Sequence, residues 1–171
     1  KIVTESLRDA CVIELAKAKK DLKVCDLVQD AQTKDFCIEQ LAEVTNDHLL
    51  CYDIDSEYWG NNCHYNLALQ QSEKQFCSLI TKVEQGQECF YAVALDTNDS
   101  ELCTLLSGND IGRCFQKIAI ATANPKLCLI FASKLNKDTC RLQVAKKNNR
   151  QDLCKNIVIS QVRDVCNEAF Q

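Results

Sequence analysis

The chain has 171 residues, thirteen of them cysteine, one proline and no methionine, with a formal net charge of −4. Cysteine at this density excludes an ordinary protein of a reducing compartment, unless it serves metal or redox chemistry, and points to the staples of a secreted protein; an intracellular protein of a hyperthermophile is the standing alternative. The basic third of the chain is modest and lacks interleaved aromatics, which speaks against a nucleic-acid binder, and no apolar run approaches the ~20 residues that a membrane span requires.

The cysteines stand at 11, 25, 37, 51, 63, 77, 89, 103, 114, 128, 140, 154 and 166, and the gaps alternate 14 and 12 apart from one of 11. Zinc sites draw ligands from pairs two to four residues apart, a spacing absent here, and His48 and His64 are the only histidines. No metal and no cofactor is expected. The alternation instead marks a 26-residue repeat. A partial unit over 1–20 is followed by units at 21–46, 47–72, 73–98, 99–123 and 124–149 and a truncated one at 150–171, all within a single α-helical repeat domain over 1–171.

Class A cysteines are Cys25, Cys51, Cys77, Cys103, Cys128 and Cys154. An apolar residue precedes each, and another follows three positions on: Val28, Ile54, Ile80, Leu106, Phe131 and Ile157. Both lie with the sulfur on one helical face. Four positions earlier come Asp21, Asp47, Glu73, Asp99, Asn124 and Arg150, most of them acceptors suited to a helix N-cap. Pro125 sits where a first helical residue needs no donor. Arg150 is the exception, with Asn149 as its substitute cap.

Class B cysteines are Cys11, Cys37, Cys63, Cys89, Cys114, Cys140 and Cys166. Four residues on, each is followed by an apolar side chain, and five residues on, the first six are followed by Ala16, Ala42, Ala68, Ala94, Ala119 and Ala145. A small residue there lets neighbouring helices approach while keeping the best helix propensity. Gly60, Gly86, Gly108 and Gly112 all fall between an A and the next B cysteine, which places the loops there. The expected architecture is all-α: a right-handed-type α-solenoid of about six short helical hairpins, two to three turns per helix, with one disulfide per hairpin.

Thirteen sulfurs leave at least one unpaired. In one scheme each A cysteine joins the next B cysteine: Cys25–Cys37, Cys51–Cys63, Cys77–Cys89, Cys103–Cys114, Cys128–Cys140 and Cys154–Cys166, with Cys11 left over. In the other each B joins the following A, leaving Cys166. About five helical residues after Cys25 and a restart near Thr33 put the first scheme's sulfurs at matching heights, within a disulfide's Cα spacing of ~4.4–6.8 Å. The constant 14-residue gap speaks for the second. Opening at Lys1 without a signal peptide, the chain reads as a mature fragment of a secreted precursor, and the loss of an upstream partner explains Cys11.

The pattern D-x-x-L-C-x-x-I followed by C-x-x-x-apolar-A resembles the uncharacterised cysteine-rich helical-hairpin repeats of predicted secreted archaeal proteins, over nearly the whole chain. The resemblance implies an exported scaffold and nothing catalytic. Sel1-like cysteine-rich solenoids are similar in idea, with longer repeats.

One repeat departs from the rest. The stretch from Cys51 to Tyr65 holds Trp59, the only tryptophan, with Tyr52, Tyr58 and Tyr65. Aromatic anchors on loops mark interfaces, so Tyr58, Trp59 and Tyr65 are candidate binding residues, against the alternative that Trp59 fills a gap at the turn. Asp53, Asp55 and Glu57 alternate as calcium ligands do, yet Tyr58 stands where the loop glycine belongs and His64 where the bidentate glutamate belongs. His64 beside Cys63 suggests a base and a nucleophile, but a bonded sulfur cannot attack. Asn98-Asp99-Ser100 is a glycosylation sequon in an inter-hairpin turn.

Residues 47–110 carry two basic against eleven acidic side chains, and residues 111–171 eleven against four. The polarity suits head-to-tail assembly or solvated surface alike. The expected function is a non-enzymatic extracellular or cell-surface scaffold that binds a protein, with a head-to-tail filament or surface-layer subunit as the alternative. Partners would be a protein or further copies of the chain, with no nucleic acid and no membrane insertion.

Overall fold

The computed structural model describes residues 2–171, with side chains from Glu5 onward. Among these the chain is all-helical, without a strand. The α-helices are α1 (Ile2–Lys19), α2 (Ala31–Thr45), α3 (Glu57–Gln71), α4 (Lys74–Cys77), α5 (Val83–Thr97), α6 (Asn109–Ala121), α7 (Lys134–Lys147) and α8 (Ser160–Glu168). Every class B cysteine lies in one of the long helices, and the six register alanines are fully buried. The last helix departs from the register: Gln171 takes the alanine position, beyond the end of α8.

Whereas α8 closes on right-handed Ala169, the six helices α1, α2, α3, α5, α6 and α7 end in the same way. A single left-handed residue follows, namely Lys20, Asn46, Ser72, Asn98, Ala123 or Asn149, with φ between 52° and 56°. The next amide then turns back to the register alanine: Asp21 N to Ala16 O at 3.2 Å, Asp47 N to Ala42 O at 3.1 Å, and Glu73, Asn124 and Arg150 N to Ala68, Ala119 and Ala145 O at 2.9 Å. This six-to-one closure satisfies a carbonyl that the helix end would leave orphaned. The alanine therefore serves twice, through its small side chain and through its carbonyl.

The class A segments are mostly not α-helices as expected from the sequence. Leu22–Leu27, His48–Asp53, Leu102–Leu105, Pro125–Ile130 and Gln151–Asn156 are 3₁₀ turns, and only α4 keeps α geometry, for four residues. Between a capping side chain and an extended exit, six residues can close few i→i+4 bonds, so the tighter i→i+3 pattern prevails. Four caps behave as read, since Asp21, Asp47, Asp99 and Asn124 accept from Lys23, Leu49, Glu101 and Lys126 N, whereas Glu73 makes no side-chain cap bond. Arg150 offers no cap and pairs with Asp152 instead, and Asn149, its supposed substitute, is the left-handed residue.

The disulfides join each A cysteine to the next B cysteine, Cys25–Cys37 through Cys154–Cys166, with Cα separations of 5.5 to 5.7 Å. The route differs from the one expected. The 3₁₀ turn ends at Leu27, only two residues past Cys25, and α2 starts at Ala31, six before Cys37. Cys11 is free and exposed. Its neighbour in register, Leu15, is 42% exposed, whereas Leu41, Leu67, Val93, Ile118 and Val144 are buried.

Three of the four glycines are helical rather than in loops: Gly60, Gly86 and Gly112 lie in the opening turns of α3, α5 and α6. Gly108 alone has a positive φ, at 57° with ψ −132°, and it caps the helix that has lost one residue of its first turn. Only glycine reaches that conformation cheaply. At Gly112 a Cβ would stand 2.8 Å from Phe131 Cε1, so the ring takes the space of a side chain.

The chain divides into two compact units, residues 1–89 and 90–171, and the boundary falls inside α5. In the first, Ile13, Ala16, Val24, Cys25, Cys37 and Ile38 form one buried cluster; in the second, cystine sulfurs pack with Ala119, Val144, Ala145, Leu153 and Ile157. A polar latch joins successive hairpins. Two residues before the B cysteine, Asp35 accepts from Asp55 and Ser56 N at 3.2 and 3.0 Å, and Asn61 accepts from Thr81 N at 2.9 Å. In the second unit Asp138 accepts from Val158 and Ile159 N at 2.9 and 2.7 Å. Gly112 holds this register where Phe131 intrudes.

Candidate binding groove

Within each unit, the N-terminal halves of neighbouring long helices face one another, and two positions meet between them. They are the residue just before the cysteine of one helix and the residue four before the cysteine of the next. Between α2 and α3 these are Phe36 and Trp59, whose rings sit 5.3 Å apart and meet across the cleft. Between α3 and α5 they are Asn62 and Gln85, joined by a 2.7 Å hydrogen bond from the Gln85 amide. There the cleft stays open, as a groove of about 730 Å³. A groove in the same register lies between α6 and α7, about 650 Å³, with Arg113 and Asn136 at the two positions.

The aromatic residues singled out from the sequence thus separate. Tyr58 and Tyr65, seven residues apart on α3, both line the open groove, and Tyr58 is 64% exposed. Trp59 does not line it. Its ring is committed to Phe36 and braces Tyr58 edge-on, with centroids 5.1 Å apart at 76°. All three stand on the helix α3, not on a loop, because Ser56 starts the helix one residue before Glu57. Trp59 therefore fills a gap between hairpins and positions Tyr58.

Sequence reasoning missed the groove's second wall. Glu84, Gln85 and Glu88 on α5 face Glu57, Asn61, Asn62 and Asn66 of α3 across the opening, with Lys82 at the edge. The signal was the column of residues just before the B cysteines, which varies in chemistry while the cysteines and alanines do not.

Behind the groove, Asn66 donates to Glu43 at 2.7 Å and to Glu39 at 3.1 Å. Glu39 is 3% exposed, and burial, with the charge of Glu43 adding, pushes its carboxyl up to about 7. His64 is also buried, with Nδ1 unpartnered under the Tyr52 ring, and burial aided by nearby His48 holds it below its ordinary value. Its neighbour Cys63 is bonded to Cys51, which leaves no nucleophile at that position. Asp53 and Asp55 are exposed, and among the described residues no group of three or more His, Cys, Asp or Glu is gathered for a metal. Asn98 of the sequon is exposed in its left-handed turn. Among the described residues no helix is long and apolar enough to cross a membrane.

No family model, no curated protein and no solved structure matches the chain.

Proposed function

We propose that the protein is a non-enzymatic scaffold of an oxidising, extracellular space that binds another protein through the groove between α3 and α5. The observation that carries this reading is the pair Tyr58 and Tyr65 on α3, which both line an open groove, while the equivalent positions one hairpin earlier hold the Phe36–Trp59 ring contact. Large, stiff amphipathic rings of this kind gain contact area at small entropic cost. Six disulfides support the compartment, and the resemblance to exported cysteine-rich repeats agrees with it. Selection from a displayed peptide library tests the site. Enriched ligands should lose binding to a Tyr58→Ala/Tyr65→Ala variant whose far-UV circular dichroism is unchanged; ligands indifferent to that variant would move the site elsewhere.

The uneven charge favours a second reading, a subunit of a filament or surface layer. Light scattering against concentration and salt separates the two. A filament subunit grows with concentration and shrinks with salt, whereas a binding module holds its monomer mass.

A further inference from the structure

Resting on the reading of the α3–α5 groove as the binding site, we infer that it is built for a cationic side chain, the arginine or lysine of a partner protein. Hydrogen-bond accounting leads there. Asn61 is occupied with Thr81 through both its oxygen and its amide, at 2.9 and 3.1 Å. Asn62 accepts from Gln85, and Asn66 donates to both Glu39 and Glu43. Glu57 accepts from the Thr81 hydroxyl at 2.7 Å. The charged and hydroxyl groups of the groove left without a hydrogen bond or ion pair are the carboxylates of Glu84 and Glu88, the ammonium of Lys82, and the hydroxyls of Tyr58 and Tyr65.

That remainder discriminates between ligand classes. A neutral sugar could use the remaining Asn62 Nδ2, Gln85 Oε1 and Asn66 Oδ1, but it would leave the charges of Glu84 and Glu88 unmatched. An anion would meet two free carboxylates and one lysine at the rim. A guanidinium or ammonium is matched on both counts. Glu84 and Glu88 are one helical turn apart on the same face of α5, the spacing at which two carboxylates can share one cation. Tyr65 and Tyr58 on the opposite wall offer ring faces to the cation and to its aliphatic stem. The wall behind adds to the field through Glu43, which accepts from the amides of Asn66 and Gln40 and forms no ion pair with a basic side chain. The equivalent groove between α6 and α7 has Arg113 among its lining residues and no carboxylate, so the preference belongs to this groove and not to the repeat.

The test uses matched probes on the intact, oxidised protein. N-acetyl-L-arginine amide and its neutral near-isostere N-acetyl-L-citrulline amide are titrated separately while the backbone amide resonances are followed. The arginine probe should shift Tyr65, Asn66, Glu84 and Glu88 saturably. Citrulline should bind about tenfold more weakly, and a Glu84→Gln/Glu88→Gln variant should lose about the same factor for arginine only. Both glutamates are exposed, and unchanged resonances elsewhere verify the fold of the variant. Equal binding of the two probes in the groove would overturn the cationic preference while leaving the groove as the binding site. Absence of arginine shifts there would overturn the inference outright, and the library selection on Tyr58 and Tyr65 decides the broader reading independently.

Discussion

Asp138→Ala examines most directly how hairpins are held to one another. The carboxylate is 1% exposed on α7 and accepts from Val158 N at 2.9 Å and Ile159 N at 2.7 Å, in the link that leads into α8. Its other oxygen takes the Arg141 guanidinium at 3.2 Å, which also donates to Asn156 O at 2.8 Å. A hydrogen bond to a charged group contributes about 1.5–3 kcal/mol net, and a buried amide left without an acceptor costs about 1–3 kcal/mol. Water reaches these part-buried amides, so the two bonds together should be worth about 2–4 kcal/mol in the variant. Asp138→Asn keeps one acceptor and should lose about half as much. Asp164 occupies the same register on α8 but is exposed, and Asp164→Ala should stay within about 0.5 kcal/mol. Urea unfolding without reductant gives the stabilities, and hydrogen exchange at the Val158 and Ile159 amides reports the latch itself. A loss below about 1 kcal/mol with unchanged exchange at those amides would refute the assignment.

Four further outcomes are expected. Reduction should unfold the chain, since closing each twelve-residue loop contributes up to ~3 kcal/mol and 3₁₀ turns of four to six residues cannot stand alone; retention of the helix signal and melting curve in reductant would contradict this. Native alkylation should modify one thiol, Cys11, and mass mapping should find no other cysteine labelled. Gly86→Ala should stabilise by about 0.5–1 kcal/mol, because its Cβ would meet nothing closer than 3.7 Å; Gly112→Ala should destabilise through Phe131, and Phe131→Leu should relieve the clash in a double-mutant cycle. Glu39 has its carboxyl raised to about 7, above the 4.5 of the unfolded chain, so its contribution is complete below about pH 4.5 and fades as pH rises through 7. Glu39→Gln should therefore gain about 1–3 kcal/mol on wild type between pH 5 and pH 8 in thermal melts, and a constant difference would refute the assignment.

The framework was legible because it is written in spacings. Alternating intervals of 14 and 12 give two classes of cysteine, and a fixed alanine five residues after one class marks its helix. Side-chain caps at Asp21, Asp47 and Asn124 were readable from the same register. Helix type was not, since an apolar face at i and i+4 is compatible with a short 3₁₀ turn once a cap and an extended exit confine it to six residues. The glycines misled because a glycine in the opening turn of a helix reads as a loop when the helix start is placed too late. The latch at Asp35, Asn61 and Asp138 was visible as a column of short polar residues, but its meaning depends on amides twenty residues away.

The same registers explain how one framework can carry different surfaces. The bonded cysteines and the register alanines are buried throughout, and the apolar residue three after the A cysteine in four of six hairpins, so substitution there disturbs packing on both sides. The two positions that meet across each cleft change in chemistry from hairpin to hairpin. They accordingly hold an aromatic stack at Phe36–Trp59, an amide pair at Asn62–Gln85, and Arg113 with Asn136 in the next groove. Where a framework position does change, a neighbour compensates: the larger Phe131 coincides with Gly112, and the lost residue of α6 coincides with Gly108 at positive φ. Under the proposed function, stability and recognition would lie largely in different columns of the repeat, with Asn61 common to both. A charge or ring can be exchanged in the α3–α5 groove without disturbing the disulfides and alanines that hold α3 and α5 in place.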